Sequence, residues 1–169
     1  MLEKLIDFLL GLLDDLMPVV VIPHYDRGVR LRLGKPRGVL EPGLHFKLPF
    51  LDTILSHMVK ATTLNLSEQT ITTKDGQSIV IRSVIKYEVS DVETLLLEVS
   101  NAVDALSDIV QGIIRDKIIE KDWSELNTSS LTGEISRASK AEARKWGITI
   151  LQITITDLAL MRSIRLLTK

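Results

Sequence analysis

The sequence predicts an α+β fold: an antiparallel β-sheet packed with helices, preceded by an N-terminal amphipathic helix. Three observations carry this. Residues 19–89 hold short alternating β-type runs cut by turn residues, residues 91–146 carry apolar side chains at three- and four-residue steps, and residues 148–158 return to a β-branched run. The expected organisation is a helix over 1–18 followed by one domain over 19–169.

In residues 2–17, Leu2, Leu5, Ile6, Leu9, Leu12, Leu13, Leu16 and Met17 recur at helical spacing. Phe8 and Leu10 widen the stripe, and Pro18 ends the helix. Residues 19–22 are a short buried strand. Arg30 to Leu33 alternate as a strand does, and Gly34 begins a turn. Pro42-Gly43 makes the next one, expected as type II, with Pro42 fixing φ and Gly43 accepting φ > 0. Leu44 to Leu48, with Phe46 at the centre, form a second alternating strand, and Pro49 stops the pairing. A strand from Thr62 through Thr72 follows. Asp75-Gly76 then makes a tight turn, and Ser78 to Val89 returns with Ile79, Ile81, Ile85 and Tyr87 on one face.

Ser90-Asp91 marks a helix start, giving a short helix to Val99 and a longer one over 101–119. Residues 122–126 connect to a third helix over 130–146, where Trp146 precedes a capping Gly147. In the last strand the apolar phase shifts between Ile150 and Leu151, the mark of a bulge or of burial on both faces. Asp157 is expected to cap a final helical turn through Ile164 and Leu167.

Composition narrows the function classes. The chain has 169 residues, no cysteine and a net charge of −1. Disulfides, thiol catalysis and thiolate metal sites are excluded, and nucleic acid is not an expected partner. No apolar run reaches the roughly 20 residues a membrane-spanning helix needs. No secretory leader opens the chain, so a secreted protein is not expected.

Several of these stretches together resemble one family. They are Gly28 through Lys35, the Pro42-Gly-Leu-His-Phe46…Pro49 turn and strand, Thr70 to Gly76, Val80 to Val89, Ile113-Ile-Arg115, and Trp146-Gly147-Ile148 through Leu158. Their ordered coincidence over about residues 19–165 resembles the SPFH or Band 7 family of stomatins, prohibitins and flotillins. The resemblance implies a prohibitin-homology fold in which Gly34, Pro42, Gly43, Phe46, Pro49, Asp75, Gly76, Trp146 and Gly147 are structural. It also implies a non-enzymatic scaffold of self-associating copies in rings or cages at a membrane. The partners so implied are membrane lipid and a membrane protease, and the location is the cytoplasmic side of a membrane. Many relatives add a membrane anchor and a coiled coil, and this chain is expected to be a minimal form with neither. That keeps a second reading open, a soluble structural subunit of a ring or of a larger particle such as a virion.

Candidate chemistry is sparse. His24, His45 and His57 lack metal-site spacing, no acid completes a cluster, and neither cofactor nor metal is expected. The basic run Arg27, Arg30, Arg32, Lys35, Arg37 and Lys47 reads either as a face for anionic headgroups or as solvated strand faces and salt bridges. The N-terminal residues Leu2, Leu5, Ile6, Phe8, Leu9, Leu12, Leu13 and Leu16 are the candidate membrane or assembly contact, since so apolar a stripe needs a cover.

Overall fold

The computed structural model describes residues 17–126 and 128–161. The helix expected over 2–16, with all eight of its candidate contact residues, lies outside them. The chain divides into two compact units, residues 1–60 with 89–100 and residues 61–88 with 101–169.

The first unit holds two small sheets. β1 (Val19–Ile22) pairs antiparallel with β4 (Gly43–Phe46), with Val19 opposite Phe46 and Val21 opposite Leu44. β2 (Asp26–Arg32) is the centre of a three-stranded sheet between β3 (Lys35–Leu40) and β5 (Asp52–Met58). Gly28 on β2 is closely packed: an added Cβ would stand 2.8 Å from Ile22 Cδ1, so that the Ile22 side chain would have to shift, and 3.3 Å from the Leu55 carbonyl. Helix α1 (Val92–Glu98) lies over this sheet and buries Val92 and Leu95. The Asp91 carboxylate caps it, accepting from the amides of Glu93 and Thr94 at 3.1 and 3.2 Å.

Turns and strands differ here from the sequence expectation. Lys35 to Leu40 is a strand despite Pro36 and Gly38, because β3 is an edge and tolerates a missing donor; the register slips between Arg30 and Leu31. Gly43 has a φ of 137°, well away from the +80° of a type II turn, and already stands in β4.

In the second unit the long strand β8 (Ser78–Val89) pairs with β6 (Thr62–Asn65) and β7 (Gln69–Thr72), antiparallel in both cases, and also with β9 (Ile148–Leu160). The single strand expected over 62–72 is therefore two. Alternation along β8 buries Ile79, Ile81, Ile85 and Tyr87, the face the sequence marked. Helices α2 (Ala102–Ile119) and α3 (Thr128–Arg144) pack on each other, and α3 packs on β9. Leu106, Val110, Ile114 and Ile118 form the buried stripe of α2, four residues apart.

A single 3-10 turn, Trp123–Glu125, joins the helices and carries a capping box from Asp122. Gly147, at φ 72°, closes α3 as expected. Asp157 lies inside β9, which runs on to Leu160, so it does not cap a helix. Two consecutive exposed residues, Leu151 and Gln152, mark the phase shift expected after Ile150.

Candidate functional site

The most unusual surface in the structure is the end of the first unit where β2 turns into β3 and the chain enters β5. Two turns meet there. Leu33 follows β2 with φ 51°, and Phe50 precedes β5 with φ 65°. The left-handed region costs an L-residue roughly 1–2 kcal/mol, and bulky side chains are rarely found in it. Both side chains nevertheless point away from the protein, 72% and 79% exposed.

The backbone holds these conformations tightly. The Leu33 amide donates to the Leu51 carbonyl at 2.9 Å, which joins the two turns. The amides of Leu51 and Asp52 both donate to the Leu48 carbonyl, at 3.3 and 2.9 Å. The Leu48 amide donates to Asp52 Oδ2 at 3.0 Å. Arg32 completes the clamp by donating from Nε and Nη2 to the two Asp52 oxygens, at 2.7 and 3.0 Å. The Asp52 side chain is 1% exposed. The Arg32 hydrogen bond, then the Leu48 amide, hold its carboxyl well below the usual carboxylate range.

The apolar surface continues onto the β1–β4 pair. Partners in register share a face, so Val21, Leu44 and Phe46 stand together, all exposed. The Lys47 amide donates to the Pro18 carbonyl at 2.8 Å, which brings Met17 and the incoming chain to the same end. Lys35 directly follows the Leu33-Gly34 turn, and Lys47 directly precedes Leu48. The acid in the second turn, Asp52, is buried and paired with Arg32, while Asp91, Glu93 and Glu98 line a pocket with Pro36, next to Lys35.

The sequence-marked residues divide between this tip and structural positions. Gly34, Phe46 and Pro49 belong to the tip, and Pro42 with Gly43 lies at the far end of the β1–β4 pair. Asp75 and Gly76 form the β7–β8 hairpin, where Thr73 Oγ1 donates to Asp75 and the Trp123 amide reaches Asp75 Oδ1 at 3.3 Å. The Thr73 hydroxyl, ahead of the Trp123 amide, lowers the Asp75 carboxyl below its ordinary value. Trp146 is half-buried beside Gly147.

Within the basic run, Arg27 pairs with Glu41 at 3.1 Å, Arg32 pairs with Asp52, and Arg30 donates from Nη2 to the Phe46 carbonyl at 2.9 Å, so these three arginines are committed inside the chain. His45 Nε2 stands 2.6 Å from the Glu41 carbonyl, and among the described residues no group of three His, Cys, Asp or Glu side chains could hold a metal ion. Leu33, Phe50 and Leu51 were not marked by the sequence. Left-handed turn residues are ordinarily Gly or Asn, so nothing local announces a leucine or phenylalanine there.

The sequence matches the SPFH domain / Band 7 family over residues 20–165. It is 26% identical over 144 residues to a stomatin homolog of Pyrococcus horikoshii, covering 84% of this chain and 54% of that one. It is 23% identical over 146 residues to mouse stomatin, covering 84% and 51%. An uncharacterized protein of Archaeoglobus fulgidus is 27% identical over 152 residues, covering 89% and 61%. The chain thus spans about half to three-fifths of these relatives.

Proposed function

The chain belongs to the SPFH domain / Band 7 family, and on that premise we propose that it is a non-enzymatic, homo-oligomeric scaffold resting on a membrane surface. Its rings or cages would organise lipid or regulate a membrane protease. The observation that carries the membrane part is the tip: Leu33 and Phe50, held outward at a backbone cost by the Arg32–Asp52 clamp, with Lys35 and Lys47 beside them. Conformations that cost free energy persist where the surroundings enforce them, and they concentrate at functional positions. An apolar patch with lysines beside it suits the boundary between headgroups and acyl chains, where a suitably placed basic residue contributes about 1 kcal/mol toward anionic lipid, and the acids near Pro36 work against that attraction. No helix among the described residues is long and apolar enough to cross a membrane, so contact through this end would be peripheral.

The test is flotation of the full chain with vesicles of phosphatidylcholine mixed with phosphatidylglycerol. Leu33→Asn with Phe50→Gly suits both left-handed positions and removes the apolar tip. Binding should fall about tenfold, the equivalent of 1.4 kcal/mol, while the circular dichroism spectrum stays unchanged. Undiminished flotation would refute the tip as the contact. A wild-type chain that assembles but binds no vesicle would favour the soluble structural subunit instead.

A further inference from the structure

Most strand edges among the described residues are short, charged or kinked. β1, β4, β6 and β7 are four residues each. β3 carries Lys35, Pro36 and Arg37, and its register slips against β2. β5 is seven residues, about half the length of β9. These are the usual devices by which a protein keeps its edges from pairing with another chain.

β9 is longer and carries little of this: one exposed acid, Asp157, and the phase shift at Leu151 and Gln152. It runs thirteen residues, Ile148–Leu160, pairs with β8 and, among the described residues, forms the other edge of that sheet. Its sequence, ITILQITITDLAL, contains one charged residue, Asp157, and no Lys, Pro or Gly. In a chain that is 25% charged, three would be ordinary. The Met161 amide donates to the Ser78 carbonyl at 2.8 Å. By strand alternation the amides and carbonyls of Leu160, Leu158, Thr156 and Thr154 then face the open side.

We propose that this open edge of β9 is a homotypic contact, where the β9 of a second copy adds antiparallel about a two-fold axis and joins two four-stranded sheets into one. The occupant follows from the chemistry of the edge. A neutral strand offers nothing by which a charged partner segment would be selected, whereas an isologous contact requires only self-complementarity. A two-fold axis at Ile155 supplies it. Thr154 then stands opposite Thr156 twice, both exposed and both presenting outward backbone groups; the Thr156 hydroxyl already donates to the Arg82 carbonyl at 3.1 Å and Thr154 Oγ1 accepts from Gln152 Nε2 at 3.2 Å, so the pair rests on backbone hydrogen bonds and methyl contact. The two Asp157 carboxylates fall four residues apart, about 13 Å at the strand rise, which is beyond the screening length at physiological salt. This deepens the oligomer part of the proposed function and is independent of its membrane part.

The absence of native cysteine makes the test direct. In the full chain without lipid, Thr154→Cys with Thr156→Cys is oxidised and run on a non-reducing gel. Covalent dimers are expected, and they are not expected from Thr63→Cys, exposed on β6 of the same sheet. Thr154→Lys with Thr156→Lys should halve the mass of the native particle in sedimentation, or dissociate a dimer to monomer, with the spectrum of the folded protein retained. No cross-link above the Thr63→Cys control would overturn the proposal, as would an unchanged mass in the folded lysine variant. Leu33→Asn with Phe50→Gly should leave the cross-link intact, so failure of the membrane reading and failure of this one are told apart.

Discussion

The two units of this chain use the same kinds of side chain in opposite ways. Of the twenty-two buried apolar residues among the described ones, seventeen belong to the second unit. Of the sixteen large apolar residues that stand exposed, twelve belong to the first. The second unit has what a stable domain needs: a long alternating strand, two helices with regular stripes, and a closing strand. The first keeps a small centre around Ile22, Val29, Val92 and Leu95 and turns the rest outward. Apolar surface that a chain does not bury in itself marks a place meant for something else. The difference therefore separates the part that holds the fold from the part proposed to meet a partner.

Core substitution should show this contrast most strongly. Ile85→Ala, at a fully buried position on β8, is expected to cost about 2–5 kcal/mol through lost burial and a residual cavity. Phe46→Ala, at an exposed position on β4, should fall within about 0.5 kcal/mol of the native chain. Urea unfolding of both variants checks the comparison, and equal losses would erase it.

Gly43 sharpens it from the side of the backbone. At φ 137° it holds a conformation that side chains rarely adopt, with open space where a Cβ would go. Gly43→Val should thus destabilise by roughly 1–2 kcal/mol through strain alone. An unchanged melting temperature would show that the β1–β4 pair does not depend on that geometry.

Acid should loosen the tip. The folded state depresses the Asp52 carboxyl, so the stabilisation is complete above the unfolded-state value near 3.9 and drains away as pH falls toward the folded value. Hydrogen exchange at the Leu48, Leu51 and Asp52 amides should accelerate below about pH 4, and Asp52→Asn should make it fast at every pH.

Phe50→Gly is a small expected effect on stability and the most telling in sign. Relief of the left-handed strain, offset by the entropy glycine adds to the unfolded chain, leaves between zero and about 1 kcal/mol of gain. A core phenylalanine would instead cost several.

Much of this architecture was legible in the sequence. Ile79, Ile81, Ile85 and Tyr87 announced the buried face of β8 by strict alternation, Asp91 announced the first helix, and Gly147 announced the end of the third. Strand β3 was not legible, because Pro36 and Gly38 read as a turn unless the strand is known to be an edge. The tip was hidden for a different reason. Its conformation is set by Asp52 and Arg32, twenty residues apart and brought together by strand pairing. No local rule reaches that far. The division into two units was not visible either, since residues 89–100 join the first unit only through tertiary contacts of α1.

The central claim is that the first unit meets a membrane with the Leu33–Phe50 end, and one measurement addresses it directly. Phe50→Cys carrying a nitrobenzoxadiazole dye is compared with Ser56→Cys, exposed four residues farther along β5 from the tip than Asp52. On adding vesicles of phosphatidylcholine and phosphatidylglycerol, emission from position 50 should shift to the blue and brighten, while position 56 stays as in water. A label at position 50 that remains in water while the protein floats with the vesicles would contradict the account.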